Sequence, residues 1–240
     1  MKKWMIYLLL VALLMTCSYG VAEEEKEILF RGIPWGSSTA DYLSAIAKDN
    51  ISGSTSNVTS VYSWEIKEGG DMDSSISRME DAGFSVASYP KNMNVAGVPV
   101  GDIKAYFIFT YDDDAVYSSE DKASLYKAEY DLEPADIKDT YDILADKLTG
   151  LYGQGTKAHG TQKYINVTYT ENYDAVTWTG ANNTGVRLFT HYREDNGVKE
   201  YRSLSLIYGK TNSVDLFKNL TDALAREQKK EMLTDNTDGL

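Results

Sequence analysis

Asn196-Gly197 stands between two runs of alternating apolar and polar residues, 186–193 and 200–208, and no other feature constrains this chain as tightly. Both residues tolerate positive φ, the backbone state a two-residue hairpin loop needs if its twist is to match the flanking strands. A loop of fixed length also fixes register. It sets Arg193 opposite Glu200, Tyr192 opposite Tyr201, Phe189 opposite Leu204 and Val186 opposite Ile207, so cross-strand partners match in character. The second half of the chain is therefore expected to be antiparallel sheet, with two more strands at 164–170 and 175–179.

The first half alternates strand and helix signals more widely. Residues 28–30 form a short strand before the turn-rich Arg31 to Ser37, and Ser38 with Asp41 has capping-box spacing for a helix over 39–48, with Leu43, Ile46 and Ala47 on one face. A strand is expected at 61–67. Asp71 caps a second helix that Gly83 ends, with Met72, Ile76 and Met79 inward. The run 101–111 is apolar on both faces, as in a central strand. In its partner, Tyr126, Ala128, Tyr130 and Leu132 alternate with Lys127, Glu129 and Asp131. Pro134 opens a helix over 134–152 whose Ile137, Tyr141, Leu144, Leu148 and Leu151 make one stripe. A last helix is expected over 214–231. The class is α+β: an antiparallel β-sheet of about six to eight strands packed against three to four helices.

The start reads as a bacterial secretory signal. Lys2 and Lys3 precede the uncharged apolar run 4–15, and small residues lead to a cleavage point after Ala22. Residues 1–22 are then the signal peptide and 23–240 a single α+β domain, with two lobes at about 28–132 and 133–234. A rival account makes Cys17 an acylated lipobox cysteine, the only route by which this chain would meet a membrane. Cys17 is the one cysteine, so the folded part has neither disulfide nor thiolate chemistry, and packing alone must stabilise it outside the cell.

Charge and motifs narrow the function by exclusion. With 36 acidic against 24 basic residues the net charge is -12, which repels polyanions and argues against nucleic acid as a partner. Ser-x-x-Lys occurs at Ser88, Ser119 and Ser124, but the companion Lys-Thr-Gly is missing, and no Gly-x-Ser-x-Gly elbow or phosphate-cradling glycine loop is present. His159 and His191 lack ligand spacing, and 112–114 with Asp71 and Asp73 lack the glycine turn and distal glutamate of a calcium loop. No catalytic residue, metal or cofactor is implied. Glycoside hydrolysis needs only two carboxylates, so Glu129 and Asp131 on one strand face, with Asp174 near another strand, form the alternative. The 18 tyrosines, with Tyr106, Tyr126, Tyr130, Tyr164, Tyr169, Tyr192 and Tyr201 among those on expected strands, are the remaining signal. Trp35, Trp178, Tyr130, Tyr192 and Tyr201 are the candidate binding residues, able to stack a sugar or anchor a protein.

The block Phe30-Arg31-Gly32-Ile33-Pro34-Trp35-Gly36-Ser37-Ser38 resembles the opening of a group of small exported proteins of uncharacterised function from anaerobic Gram-positive bacteria, which carry F-R-x-I-P-W-G-T-S after a signal peptide. Further matches lie at Val95-Ala96-Gly97, at Leu125 to Tyr130, at Leu151-Tyr152-Gly153 and at Trp178 to Leu188. The resemblance implies export and transfers no catalytic residue. The glycine-tryptophan block is also similar, over the first helix alone, to outer-membrane assembly and β-lactamase-inhibitor modules that bind proteins. Together these readings describe a secreted or cell-surface, non-catalytic module whose partner is an unknown protein or a cell-envelope glycan.

Overall fold

The computed structural model describes residues 26–49, 51, 53–57, 83–110, 122–163, 170–210, 226, 229 and 230. Its elements in chain order are helix α1 (Thr39–Ala47), strands β1 (Gly53–Asn57), β2 (Gly83–Ser88), β3 (Asn94–Val95), β4 (Val98–Phe109) and β5 (Ala123–Leu132), helix α2 (Ile137–Tyr152), and strands β6 (Thr156–Lys163), β7 (Thr170–Gly180), β8 (Thr184–Asp195) and β9 (Val198–Lys210). One antiparallel sheet runs in the order β1-β2-β4-β5-β9-β8-β7-β6, with β3 paired to β4 off this path.

The expectation of three to four covering helices is corrected, because the described residues hold this one wide sheet and two short helices. The non-helical segment that precedes α1 covers part of the front face. Ile28, Phe30 and Ile33 are buried there, in the same core as Tyr42 and Ile46 of α1, Leu144 and Leu148 of α2, and Val186, Leu188, Leu204 and Leu206 of the sheet. Backbone bonds fix the segment in place: Gly36 N–H donates to the Leu125 carbonyl and Leu125 N–H to that of Ser37, on a stretch of β5 that its neighbour β9 does not reach. The expected helix capped by Asp71 lies outside the described residues, except that Gly83 opens β2 instead of ending a helix. The expected helix 214–231 lies outside them too, apart from helical Arg226, Lys229 and Lys230.

The helix ends follow their capping residues. The Ser38 hydroxyl accepts from Asp41 N–H at 3.2 Å, so α1 starts where the capping box places it. Its inward residues are Thr39, Tyr42 and Ile46, and Ala47 is exposed. In α2 the Asp136 carboxylate accepts from Asp139 N–H at 2.9 Å, which moves the start three residues past Pro134. Leu144 and Leu148 point into the core, whereas Leu151 is 73% exposed.

The hairpin forms with Asn196 at φ 50 and Gly197 at φ 78, and Tyr192 pairs with Tyr201 as expected. Beyond that pair the register shifts. A bulge leaves Arg202 unopposed, so His191 meets Ser203, Phe189 meets Ser205 and Val186 meets Tyr208. The extra residue reconciles two faces: Tyr201 and buried Leu204 both lie on the front face yet stand three residues apart, which strict alternation forbids and a bulge permits. A second bulge on β5 separates Tyr126 from Ala128 and Tyr130, since Tyr106 pairs with Lys127 while Phe107 pairs with Leu125.

Candidate functional site

The helices sit on the front face, and the two faces hold different chemistry. On the back face β4 presents Asp102, Lys104 and Tyr106, opposite Asp131, Glu129 and Lys127 of β5. The run read as apolar on both faces is thus polar on one. The Tyr106 hydroxyl donates to Glu129 Oε1 at 2.6 Å, Lys127 Nζ lies 3.1 Å from Glu129 Oε2, and the same ammonium stands over the Tyr106 ring at 4.3 Å. Burial pushes the Glu129 carboxyl up, but Lys127, the Tyr106 bond and Lys104 outweigh it and hold Glu129 below the ordinary glutamate value. Asp131 moves the other way, raised by its own burial and then by the Asp102 carboxylate opposite. Burial followed by the Glu129 charge drives the Tyr106 hydroxyl far above the usual tyrosine range, keeping it a donor.

The front face forms its candidate site at the hairpin end. Strand β7 last pairs with β8 at Tyr192, and β5 last pairs with β9 at Leu204, so the exposed stretch 193–200 pairs with neither of these neighbours. At its base the Tyr192 and Tyr201 rings lie 5.5 Å apart. Lys199 Nζ stands 3.9 Å from the Tyr192 ring centroid and 3.1 Å from Asp174 Oδ2. Desolvation pulls the Lys199 pKa down, and the contacts with Tyr192 and Asp174 more than reverse it, so the ammonium stays charged. Tyr141 of α2 adds a third ring, its hydroxyl pushed up by burial and by Asp174. Half-exposed Tyr201, backed by the buried ring of Tyr192 and set beside one cation and one anion, can stack a planar or pyranose face and bond the polar groups at its rim.

These geometries sort the candidate residues. Tyr192 and Tyr201 come together. Tyr130 is buried, accepts from Arg31 at 3.3 Å and packs on Phe30 at 4.9 Å. Trp178 is 1% exposed in the core, and the indole of half-buried Trp35 donates to the Ile28 carbonyl at 2.8 Å. Of the three carboxylates, Glu129 and Asp131 share the back face, whereas Asp174 lies on the front face with Lys199. His191, which an unbroken hairpin register would set opposite Arg202, contacts the Ser203 hydroxyl at 3.1 Å through Nδ1, with its pKa lowered by burial. Among the described residues no three His, Cys, Asp or Glu gather where a metal could sit. No family model, curated protein or solved structure matches this chain. The structural content of the Phe30 to Ser38 block is local. Arg31 and Gly32 turn at φ 54 and 73, and the Arg31 guanidinium joins Asp49 to Tyr130.

Sequence reasoning missed Lys199, Asp174 as its partner, and Tyr141 as a third ring. Register alone would have placed Lys199 next to Tyr192, since the hairpin pairs Lys199 with Glu194, two positions along the strand. It also missed the partners of Glu129: Tyr106 joins it only once β4 and β5 are in register, and Lys127, two residues before it on the same strand face, went unremarked.

Proposed function

We propose that the protein is an exported, non-catalytic binding module whose contact surface is the base of the β8–β9 hairpin, and that its partner is a protein or a cell-envelope glycan. One observation supports the reading: Tyr192, Tyr201, Lys199 and Asp174 converge beside a hairpin end that pairs with neither neighbouring strand. Fixed aromatic area with a rim of charge is what recognition surfaces use, and tyrosine brings it at low cost in side-chain entropy. The test is co-sedimentation of residues 23–240 with purified cell walls, untreated or stripped of protein by protease. Retention on both would make the partner a glycan; retention on untreated walls alone would make it a protein. Retention on neither would contradict the reading.

A second reading, a hydrolase with a carboxylate pair, has one observation in its favour. Glu129 and Asp131 are two residues apart on one face, roughly 6 to 7 Å at their backbones, and their environments push their pKa values in opposite directions. If Glu129→Gln and Asp131→Asn both abolish a glycan-cleaving activity of the purified protein, this reading displaces the first. Export itself is tested by mass spectrometry of the native N-terminus. A chain starting at Glu23 fits secretion, and acylated Cys17 would make the module membrane-tethered.

A further inference from the structure

We propose that β6 is a docking edge for an extended acidic segment of a partner polypeptide, one that alternates carboxylate and apolar side chains. Strand β6 ends the strand order, pairs with β7 in unbroken register over all of Thr156–Lys163, and contains no proline. Thr156, Lys157, His159 and Thr161 are exposed. An edge of this length and regularity presents a row of backbone donors and acceptors that a further strand can satisfy.

Charge selects the partner. The chain has 36 acidic residues in 240, yet from Asp146 to Glu171 there is no carboxylate, while Lys147, Lys157, His159 and Lys163 fall in that interval. A lysine-bearing edge discourages neutral and basic strands and leaves acidic ones favoured. Asp174, across from His159 on the front face, is already engaged by Lys199 at 3.1 Å, and Glu171 lies across from Gln162. The back face sets the other half of the pattern. Phe189, Tyr173 and Ala175 form a small apolar cluster that Ala158 extends to the edge, and Gly160 leaves room for the Tyr173 ring, which a Cβ there would approach to 2.8 Å. An added strand would continue this strip with apolar side chains and turn its carboxylates toward Lys157 and His159.

The probe is a capped, fluorescein-labelled (Glu-Val)6 peptide, with (Lys-Val)6 as its opposite. The expected result is saturable anisotropy with (Glu-Val)6 that weakens as salt rises, together with slowed hydrogen exchange in β6. The variant Lys157→Glu/Lys163→Glu should lose about tenfold in affinity for (Glu-Val)6 and come to prefer (Lys-Val)6. Tyr201→Ala should bind the peptide as the native chain does, which separates this edge from the hairpin surface. Equal binding of both peptides, no binding, or an unaffected double variant would overturn the proposal. So would concentration-dependent dimers protecting β6 without peptide, since a second copy would then occupy the edge.

Discussion

The front and back faces of one sheet solve the burial problem in opposite ways. The front face is closed by rings and aliphatic side chains: Phe84 of β2 stacks on Phe107 of β4 at 5.2 Å, and Tyr42 of α1 meets Phe107 edge-on at 5.5 Å. The back face buries Glu129 and neutralises it with Lys127 and Tyr106. Apolar packing tolerates the loss of one contact in proportion to the volume removed. An ion network is less forgiving, because removing one member leaves another charge without compensation.

The largest expected effect breaks the front face. Phe107→Ala deletes a ring that is 0% exposed, and its unfolding free energy should fall by about 3–5 kcal/mol, read from the denaturant midpoint. Next comes Glu129→Gln, which keeps the shape but removes the charge that compensates Lys127, for a loss of about 1–3 kcal/mol at pH 7. The same variant sharpens the comparison by pH. A carboxyl held below its unfolded value of 4.5 gives stability that is complete above that pH and is lost as pH falls through the folded value. The native chain should lose stability below pH 4.5 more steeply than Glu129→Gln, with thermal midpoints in acid as the readout.

How much of this was legible in the sequence follows the same division. Apolar periodicity placed Leu144 and Leu148, and Asn196-Gly197 placed Tyr192 against Tyr201, because both signals are local. The bulge at Arg202 was not legible, since it brings Tyr201 onto the same face as Leu204, and Leu204 packs in a core built by other elements. Strand β6 was missed as well. Thr-Lys-Ala-His-Gly-Thr-Gln-Lys has no apolar alternation, and its conformation comes from pairing with β7. The segment 28–33 read as a short strand and turn, and nothing local marked Ile28, Phe30 and Ile33 as core residues.

Smaller effects test the hairpin and the acid pair. Gly197→Ala places a Cβ at φ 78 and should cost about 1–2 kcal/mol, while shifting the exchange rates of 193–200 more than those of β4. Asp131→Asn should do the reverse of Glu129→Gln. Its carboxyl is raised by burial and by Asp102, so the folded state resists its ionisation, and stability falls as pH rises from the unfolded value of 3.8 through the folded one. Removing that charge should raise the melting temperature at pH 7 by at most about 2 °C, a size limited by solvent screening of this half-exposed group.

The contact surface at the hairpin base is the claim on which the functional account stands, and Tyr201→Ala tests it most directly. Co-sedimentation of residues 23–240 with native cell walls should fall about tenfold in this variant, with the melting temperature nearly unchanged because Tyr201 is half-exposed. Undiminished wall binding by a folded Tyr201→Ala protein would contradict the account.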